Sequence, residues 1–486
     1  MSKRPNILLI VSEDNGQHLG CYGDQNVRTP HLDSLAAGGA RFANAYCTQA
    51  VCSPGRASIL TGLYPHQNGQ IGLSTHEYAM YGNIPNLPGL LKPLGYRTAL
   101  LGKLHVKPFD AFPWDLWWND NRFISFGQRD VHTTAEMAHG FIADTGDAPF
   151  LLMVAARDCH LPFLRQSHGV PEHPLSADDV VPLPFVGVDT LRVREHTADY
   201  YNCMQRLDVM VGLLMEALRT HGKDDNTLVI FTTDHGAQFS RGKCSCYEGG
   251  LRIPMIARWP GRIPEGRVVD AFVSQIDVLP TIMSAVGEGV PSHVAGASLL
   301  PLASDESVPW RRRVYAEWTS CHSPIYYPQR SIRNERHKLI VTYRSDRPNP
   351  CAQINAGTAT FQKHVAPGTL PDEVLGATEC VRRTYAIYND PPPEELYDLH
   401  EDPWEFNNLA DDPAYEDVRN KLRQELVEWQ TQTGDLVRDP SVLARLNAEH
   451  DEITQRYYSI GERVPEGFVW PYWDYLGAES VAQRNI

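Results

Sequence analysis

Three short apolar runs constrain the fold more than any other feature. Asn6-Ile-Leu-Leu-Ile-Val11, Phe150-Leu-Leu-Met-Val-Ala-Ala156 and Thr227-Leu-Val-Ile-Phe-Thr-Thr233 are continuous stretches of strand length. They do not alternate with polar residues, so each suits burial on both faces, as in a parallel sheet covered by helices. Each run ends in residues that can do chemistry: Glu13-Asp14, then Asp158 and His160, then Asp234-His235. Helical patterns such as Thr29–Ala37 and Thr197–Leu218 lie between them. This alternation predicts an α/β domain whose sheet is largely parallel. Ligands of such sheets sit beyond the carboxyl ends of the strands, so the three charged ends point to one site.

Near Trp310 the texture changes. Arg313–Trp318, Ser331–Tyr343 and Glu395–Leu399 read as β segments separated by Pro-rich stretches, and a helix over Tyr415–Gln432 follows. Two domains are expected: a catalytic domain over residues 1–310 and a smaller α+β domain over 311–486 carrying antiparallel strands. The 59 acidic residues outnumber the 44 basic ones, for a formal net charge of −15. Such a surface repels nucleic acid and anionic membranes, so neither is expected as a partner, but a local basic pocket for an anion stays open. The longest uninterrupted apolar stretch, Phe150–Ala156, is far short of the ~20 residues a bilayer span needs. Met1–Pro5 leads directly into Ile7–Val11 with no signal-peptide pattern, so a cytoplasmic location is expected. The ten cysteines then read as reduced, mostly buried thiols. Cys244-Ser-Cys246 could bind a soft metal, but no second C-x-C or C-x-x-C completes a four-thiolate site.

The sharpest local motif is Val51-Cys52-Ser53-Pro54-Gly55-Arg56-Ala57-Ser58-Ile59-Leu60-Thr61-Gly62. A Cys just ahead of a Pro at a helix start lies where the macrodipole and free N–H groups favour an anion. Arg56 adds a fixed positive charge one turn on. Taken whole, Cys-x-Pro-x-Arg followed by Ala-Ser-Ile-Leu-Thr-Gly resembles the signature of type I sulfatases. That resemblance implies the alkaline-phosphatase-like fold: a large mixed, mostly parallel sheet sandwiched by helices. It also implies that Cys52 is oxidised to Cα-formylglycine by a formylglycine-generating enzyme, its hydrated aldehyde being the nucleophile. Acids at two strand ends would bind one divalent metal, here Glu13, Asp14, Asp234 and His235 with the modified Cys52. Hard oxygen donors suit Ca²⁺, the first choice, or Mg²⁺. The nitrogen of His235 also brings Mn²⁺ or Zn²⁺ within reach.

Further segments carry the resemblance. Gly102-Lys103-Leu104-His105 is similar to the family's Gly-Lys-x-His, which implies that Lys103 holds the sulfate and His105 is the base that regenerates the aldehyde. The strand-end segment Arg157–Pro162 implies His160 as the acid facing the leaving group. Gly242–Pro254 implies Lys243 as a second sulfate-binding lysine, with Cys244 and Cys246 as packing residues beside it. A sulfate ester needs such a set: a cation and fixed Arg/Lys donors on the sulfuryl oxygens, an acid at the bridging atom and a base for the second step.

Within the family, the chain most resembles N-sulfoglucosamine sulfohydrolases and their bacterial relatives, from Arg4 to about Trp429. Leu63–Gly69 and Tyr327–Ile332 suggest His66, Gln67 and Arg330 as residues lining the substrate pocket. The first expected reaction is cleavage of the glucosamine N-sulfate. O-sulfate cleavage from a sugar or small alcohol is the second, since Lys243 stands where N-sulfatases tend to have Arg. The net charge would repel long sulfated polymers, so a small sulfated saccharide is the expected substrate; a homo-oligomer is allowed for. Two other classes stay open: a phosphodiesterase or phosphonate hydrolase of the same superfamily, and a sulfated-glycan binding protein in which Cys52 remains a thiol.

Overall fold

The computed structural model describes residues 4–82, 84–118, 129–304, 307–355 and 368–477. The strands of the larger sheet are β1 (Asn6–Ser12), β2 (Ala40–Tyr46), β3 (Arg97–Gly102), β4 (Leu116–Trp118), β5 (Phe150–Ala155), β6 (Thr227–Thr233), β7 (Arg252–Ile253), β8 (Met255–Arg258) and β9 (Arg267–Ser274). Their order is β4-β3-β5-β1-β6-β8-β2-β7, and β9 pairs with β2. The three apolar runs are thus adjacent at the centre, as β5-β1-β6, and both of these pairings are parallel. All residues of β1, β5 and β6 are buried, as an unbroken apolar run requires. Ile7, Leu8, Leu9 and Ile10 are fully buried, each worth about 1.5–3 kcal/mol in transfer terms. β7 and β8 run antiparallel to their neighbours, which makes the sheet mixed.

Among the helices are α1 (Pro30–Ala37), α2 (Cys52–Thr61), α3 (Leu191–Thr220), α4 (Glu416–Thr433) and α5 (Pro440–Arg456). α3 has the apolar stripe expected of a helix on a sheet: Cys203, Leu207, Met210, Val211 and Leu214 are buried.

A second sheet is formed by β10 (Val314–Trp318), β11 (Gln329–Arg333), β12 (His337–Thr342) and β13 (Glu394–Asp398), all antiparallel and in chain order. The stretch Ser331–Tyr343, read from the sequence as one β segment, spans the end of β11, a turn at Asn334–Arg336 and β12. Asn334 Oδ1 accepts the N–H groups of Arg336 and His337 there, the local turn chemistry of an Asx residue. The two sheets share a core, for Val314, Trp318 and Ile340 belong to the same buried cluster as β1 and β6. The Glu317 N–H donates to the Thr48 carbonyl across the junction. Among the described residues, no helix is long and apolar enough to cross a membrane.

Candidate active site

Strand register assembles the site. Ser12 pairs with Thr233 and Val11 with Ala155, while Gly102 pairs with Ala155 from the other side. Four neighbouring strands therefore end level, and the residues just beyond them emerge side by side: Lys103 and His105, Asp158 and His160, Glu13 and Asp14, Asp234 and His235. Asp14 adopts φ 53°, a left-handed conformation that is uncommon outside glycine and concentrates at functional sites. Its N–H donates to Asp234 Oδ1 at 3.1 Å. Burial works to raise the Asp14 carboxyl, but the Lys243 ammonium beside it holds it well below the usual carboxylate range.

The oxygen and nitrogen donors fit a divalent cation. One ligand atom each of Asp14, Cys52, Asp234 and His235 lie within 4.8 Å of one another, and all four residues are buried. His235 Nδ1 lies 2.8 Å from the Gly236 carbonyl, which assigns the proton to Nδ1 in the neutral ring and turns the Nε2 lone pair inward. That Nε2 stands 2.9 Å from Asp14 Oδ1. A lone pair facing a carboxylate at this distance is repulsive unless a proton or a cation lies between them. Ligand atoms around one small cation are spaced in this way, given metal–oxygen distances of about 2.1–2.4 Å.

Cys52 opens α2. Val51 is extended at φ −155°, Cys52 is the first helical residue, and Gly62 ends the helix in the left-handed conformation. Pro54 falls in the first turn, where a missing N–H costs little. The thiol is 1 % exposed, with Lys243 Nζ at 3.5 Å, His235 Nε2 at 3.6 Å and Asp14 Oδ1 at 4.0 Å. Burial, reinforced by Asp234 and Asp14, pushes the thiol far above its ordinary value against Lys243 and Arg56. An unmodified thiol here is protonated and a poor nucleophile. One turn on, fully buried Arg56 gives Nε to Asp234 Oδ2 at 3.0 Å and Nη1 to the Lys103 carbonyl at 2.9 Å, tying helix to strand ends. Gly55 makes this approach feasible: a Cβ there would stand 2.3 Å from the Asp234 carbonyl oxygen. Gly55→Ala must push α2 away from Asp234, and kcat in a hydrolysis assay should fall about 10²-fold.

Lys243 Nζ lies 3.0 and 2.9 Å from the two Asp14 oxygens, and Lys103 Nζ is ion-paired with Glu13. Burial opposes the charge on Lys243, yet Asp14 raises its ammonium above the ordinary range. Both histidines are held neutral. Burial, with Lys103 and Arg56, takes His105 well below its usual value, and burial takes His160 down to about 3 despite Asp14. His105 sits at φ 57° with both ring nitrogens buried and without a hydrogen-bond partner among the described residues, an arrangement that costs free energy unless a ligand completes it. His160 Nδ1 bonds the Leu161 carbonyl at 2.7 Å, leaving Nε2 the inward nitrogen.

Two of the suggested pocket residues, His66 and Arg330, share an ion-pair network, and Gln67 follows His66 in the chain. His66 Nδ1 is 3.1 Å from Glu317 Oε1, and Glu317 Oε2 is 3.2 Å from Arg330 Nη2. Fully buried Arg330 also holds Asp435 at 2.7 and 3.0 Å. Gln67 Oε1 accepts the Tyr64 N–H at 3.1 Å. This network links the turn after α2 to the second sheet and to the segment between α4 and α5. Removing one member of such a buried pair costs about 3–5 kcal/mol, so Arg330→Met should lower Tm markedly. KM of the folded enzyme should stay unchanged; a raised KM at unchanged Tm would restore a substrate contact.

The comparisons with known proteins converge on one family. The sulfatase family model matches residues 5–288, and that for the N-sulphoglucosamine sulphohydrolase C-terminal region matches residues 238–349. Human N-sulphoglucosamine sulphohydrolase is 31% identical over 465 residues, spanning 88% of this chain and 90% of its own. The chain belongs to the sulfatase family. An ulvan-active sulfatase of Formosa agariphila is 30% identical over 444 residues, covering 90% of this chain and 82% of its own. Among solved structures, one of BT4656, in complex with its substrate D-glucosamine-2-N,6-O-disulfate, superposes with a TM-score of 0.68 at 21% identity. It covers 90% of this chain and 99% of the other. The sulfatase is accordingly a sulfate ester or sulfamide hydrolase with an alkaline-phosphatase-like fold.

Sequence reasoning missed several residues that position the candidate site. Buried Asp158 is clamped by Arg206 at 2.6 and 2.7 Å and by Arg129 at 2.7 Å. Arg129 also reaches the His160 and Pro162 carbonyls, fixing the loop that carries His160. Arg206 was visible as a charge inside the apolar stripe of α3; Arg129 lies in no recognisable pattern. Gln275 donates to the Thr233 and Asp234 carbonyls, both at 2.7 Å, again with no sequence signal.

Proposed function

We propose that this sulfatase hydrolyses the N-sulfate of a small glucosamine saccharide through a formylglycine made from Cys52. The observation that carries the reading is the place of Cys52: at a helix N-terminus, among Asp14, Asp234, His235 and Lys243, with Arg56 one turn behind. Positive groups there would face an anion bound over the nucleophile. Maturation requires a formylglycine-generating enzyme, and the hydrated aldehyde then supplies the attacking oxygen. Asp14, Asp234 and His235, with Glu13 beside them and the modified Cys52, would hold one divalent cation, Ca²⁺ as first choice and Mg²⁺ or Mn²⁺ as alternatives. When bound, it supplies positive charge against the nucleophile and a sulfuryl oxygen.

The protein's own residues do the rest. Arg56 keeps Asp234 in one orientation through the 3.0 Å bond to its Nε. Lys243 and Lys103 now balance Asp14 and Glu13. Each ammonium has three donors, so each can hold a sulfuryl oxygen while retaining its carboxylate. His160 presents Nε2 for the leaving nitrogen, and the arriving anion favours the protonated ring it needs. Neutral His105 accepts the proton whose removal releases sulfate.

N-sulfate is preferred because the N-sulphoglucosamine sulphohydrolase C-terminal family model matches beside the catalytic one. O-sulfate cleavage is the alternative, favoured by Lys243 and by the ulvan-active relatives. Sulfate release should be measured from glucosamine N-sulfate, glucosamine 6-O-sulfate, an aryl sulfate and an aryl phosphate. A kcat/KM for the N-sulfate at least about tenfold above the 6-O-sulfate is expected. The reverse order would overturn the substrate, and phosphate turnover above sulfate would overturn the reaction.

A further inference from the structure

Two loops flank the start of α2. In the first, the Ser74 N–H of the turn Ser74–His76 donates to Ser53 Oγ at 3.0 Å. In the second, the loop after β10, the Ser320 carbonyl accepts from Gln49 Nε2 at 3.0 Å. Ser53 directly follows Cys52, and Gln49 stands three residues before it. The loops are joined to each other where the Leu73 N–H donates to the Cys321 carbonyl at 2.9 Å. From far along the chain, α5 and the residues after it clamp both. His450 Nδ1 lies 2.9 Å from the Leu446 carbonyl, so the neutral ring carries its proton there and Nε2 accepts from the Tyr78 hydroxyl at 2.9 Å. Ser323 Oγ donates to the His450 carbonyl at 2.6 Å. Trp470 stacks on Tyr78 with ring centroids 4.1 Å apart and gives Nε1 to the His76 carbonyl at 3.1 Å. Leu446, Ile453, Trp470 and Tyr472 share a buried cluster with Leu63, Ile71 and Tyr78.

Where the clamp closes, polar rings from all three segments meet. Tyr458 Oη stands 2.7 Å from His76 Nδ1. The rings of His76 and His322 are 4.8 Å apart, and those of His322 and Tyr458 meet edge to face at 5.6 Å. His76 and His322 are 6 % and 5 % exposed, whereas Tyr458 is half-buried. We infer that Tyr458, with His76 and His322, walls the pocket beside Cys52 and holds the sugar ring of the substrate, so that the C-terminal segment sets specificity. A site for a sulfated sugar needs two unlike halves. Arg56, Lys103 and Lys243 supply the charged half for the sulfuryl oxygens. The sugar needs aromatic surface with a few placed polar atoms. Burial takes His76 down to about 3 and His322 to about 4, so both rings are uncharged near neutral pH. A neutral imidazole offers one N–H donor and one acceptor, and a phenol offers both in one atom, which matches sugar hydroxyls. Each ring also has an apolar body that suits a pyranose face.

Resting on hydrolysis of a glucosamine sulfate at Cys52, the wall is tested by Tyr458→Phe, which removes only the hydroxyl. Tyr457→Phe, whose ring packs on Phe468, is the control. Each variant should be assayed on glucosamine N-sulfate and on an aryl sulfate, which lacks the sugar hydroxyls. Tyr458→Phe should lower the ratio of the two kcat/KM values about tenfold, through KM for the sugar, as loss of one hydrogen bond does. Tyr457→Phe should leave that ratio as in wild type. Calorimetry on the Cys52→Ala protein should show the Kd for glucosamine N-sulfate weakened by the same factor when Tyr458→Phe is added. An unchanged ratio would overturn the wall, and so would an equal fall on both substrates, the mark of a purely structural role. A wild type that cleaves the 6-O-sulfate but not the N-sulfate would overturn the N-sulfate reading alone, and the 6-O-sulfate then serves as the sugar substrate. A wild type active on the aryl sulfate alone would overturn both.

Discussion

Cys52→Ala should lower turnover by at least about 10³-fold, as removal of a nucleophile does, and leave the fold unchanged. The loss follows from geometry: the Cys52 thiol is the group set against Lys243, His235 and Asp14 at the start of α2. The intact fold follows from how loosely the thiol is held, its nearest polar neighbours standing 3.5 to 4.0 Å away. Replacing it by alanine removes one small buried atom and preserves the start of α2, at a cost of about 1 kcal/mol. Turnover and Tm measured on the same preparation test this. Retained activity would remove Cys52 from the mechanism, and a collapsed Tm would make its role structural.

Asp234→Ala should be the more destructive change. Asp234 accepts the Asp14 N–H and the buried Arg56 Nε, so alanine leaves a guanidinium buried without its counter-charge, a loss of about 3–5 kcal/mol. It also removes one of the proposed cation ligands. Asp234→Asn separates the two effects, for it keeps hydrogen-bonding capacity but lacks the charge. In wild type, Tm should rise with added Ca²⁺, because a ligand that binds only the native state stabilises it. In Asp234→Asn that rise should vanish and turnover should fall by at least about 10²-fold. A variant whose Tm still climbs with Ca²⁺ would place the cation elsewhere.

The central fold was legible because its signal is local. Asn6–Val11, Phe150–Ala156 and Thr227–Thr233 are apolar without alternation, and β1, β5 and β6 match them closely. The site was legible for the same reason, since parallel register carries the residues after those strands to one edge. The Cys52 helix and Lys243 came from the family's motifs; no periodicity would have placed them. What escaped the sequence was long-range. Arg129 and Arg206 meet Asp158 from distant parts of the chain, a pairing that no local pattern shows even though Arg206 stands out as a charge in the apolar stripe of α3. His66 and Arg330, suggested by local segments, also share an ion-pair network with Glu317 and Asp435 that no local pattern signals.

Catalysis depends on what Cys52 becomes. The mass of the proteolytic peptide containing Cys52, taken from active enzyme after alkylation, tests it most directly. The peptide should be unalkylated and lighter than the thiol form by the mass of hydrogen sulfide less one oxygen. A fully alkylated thiol at Cys52 in fully active enzyme would contradict the account.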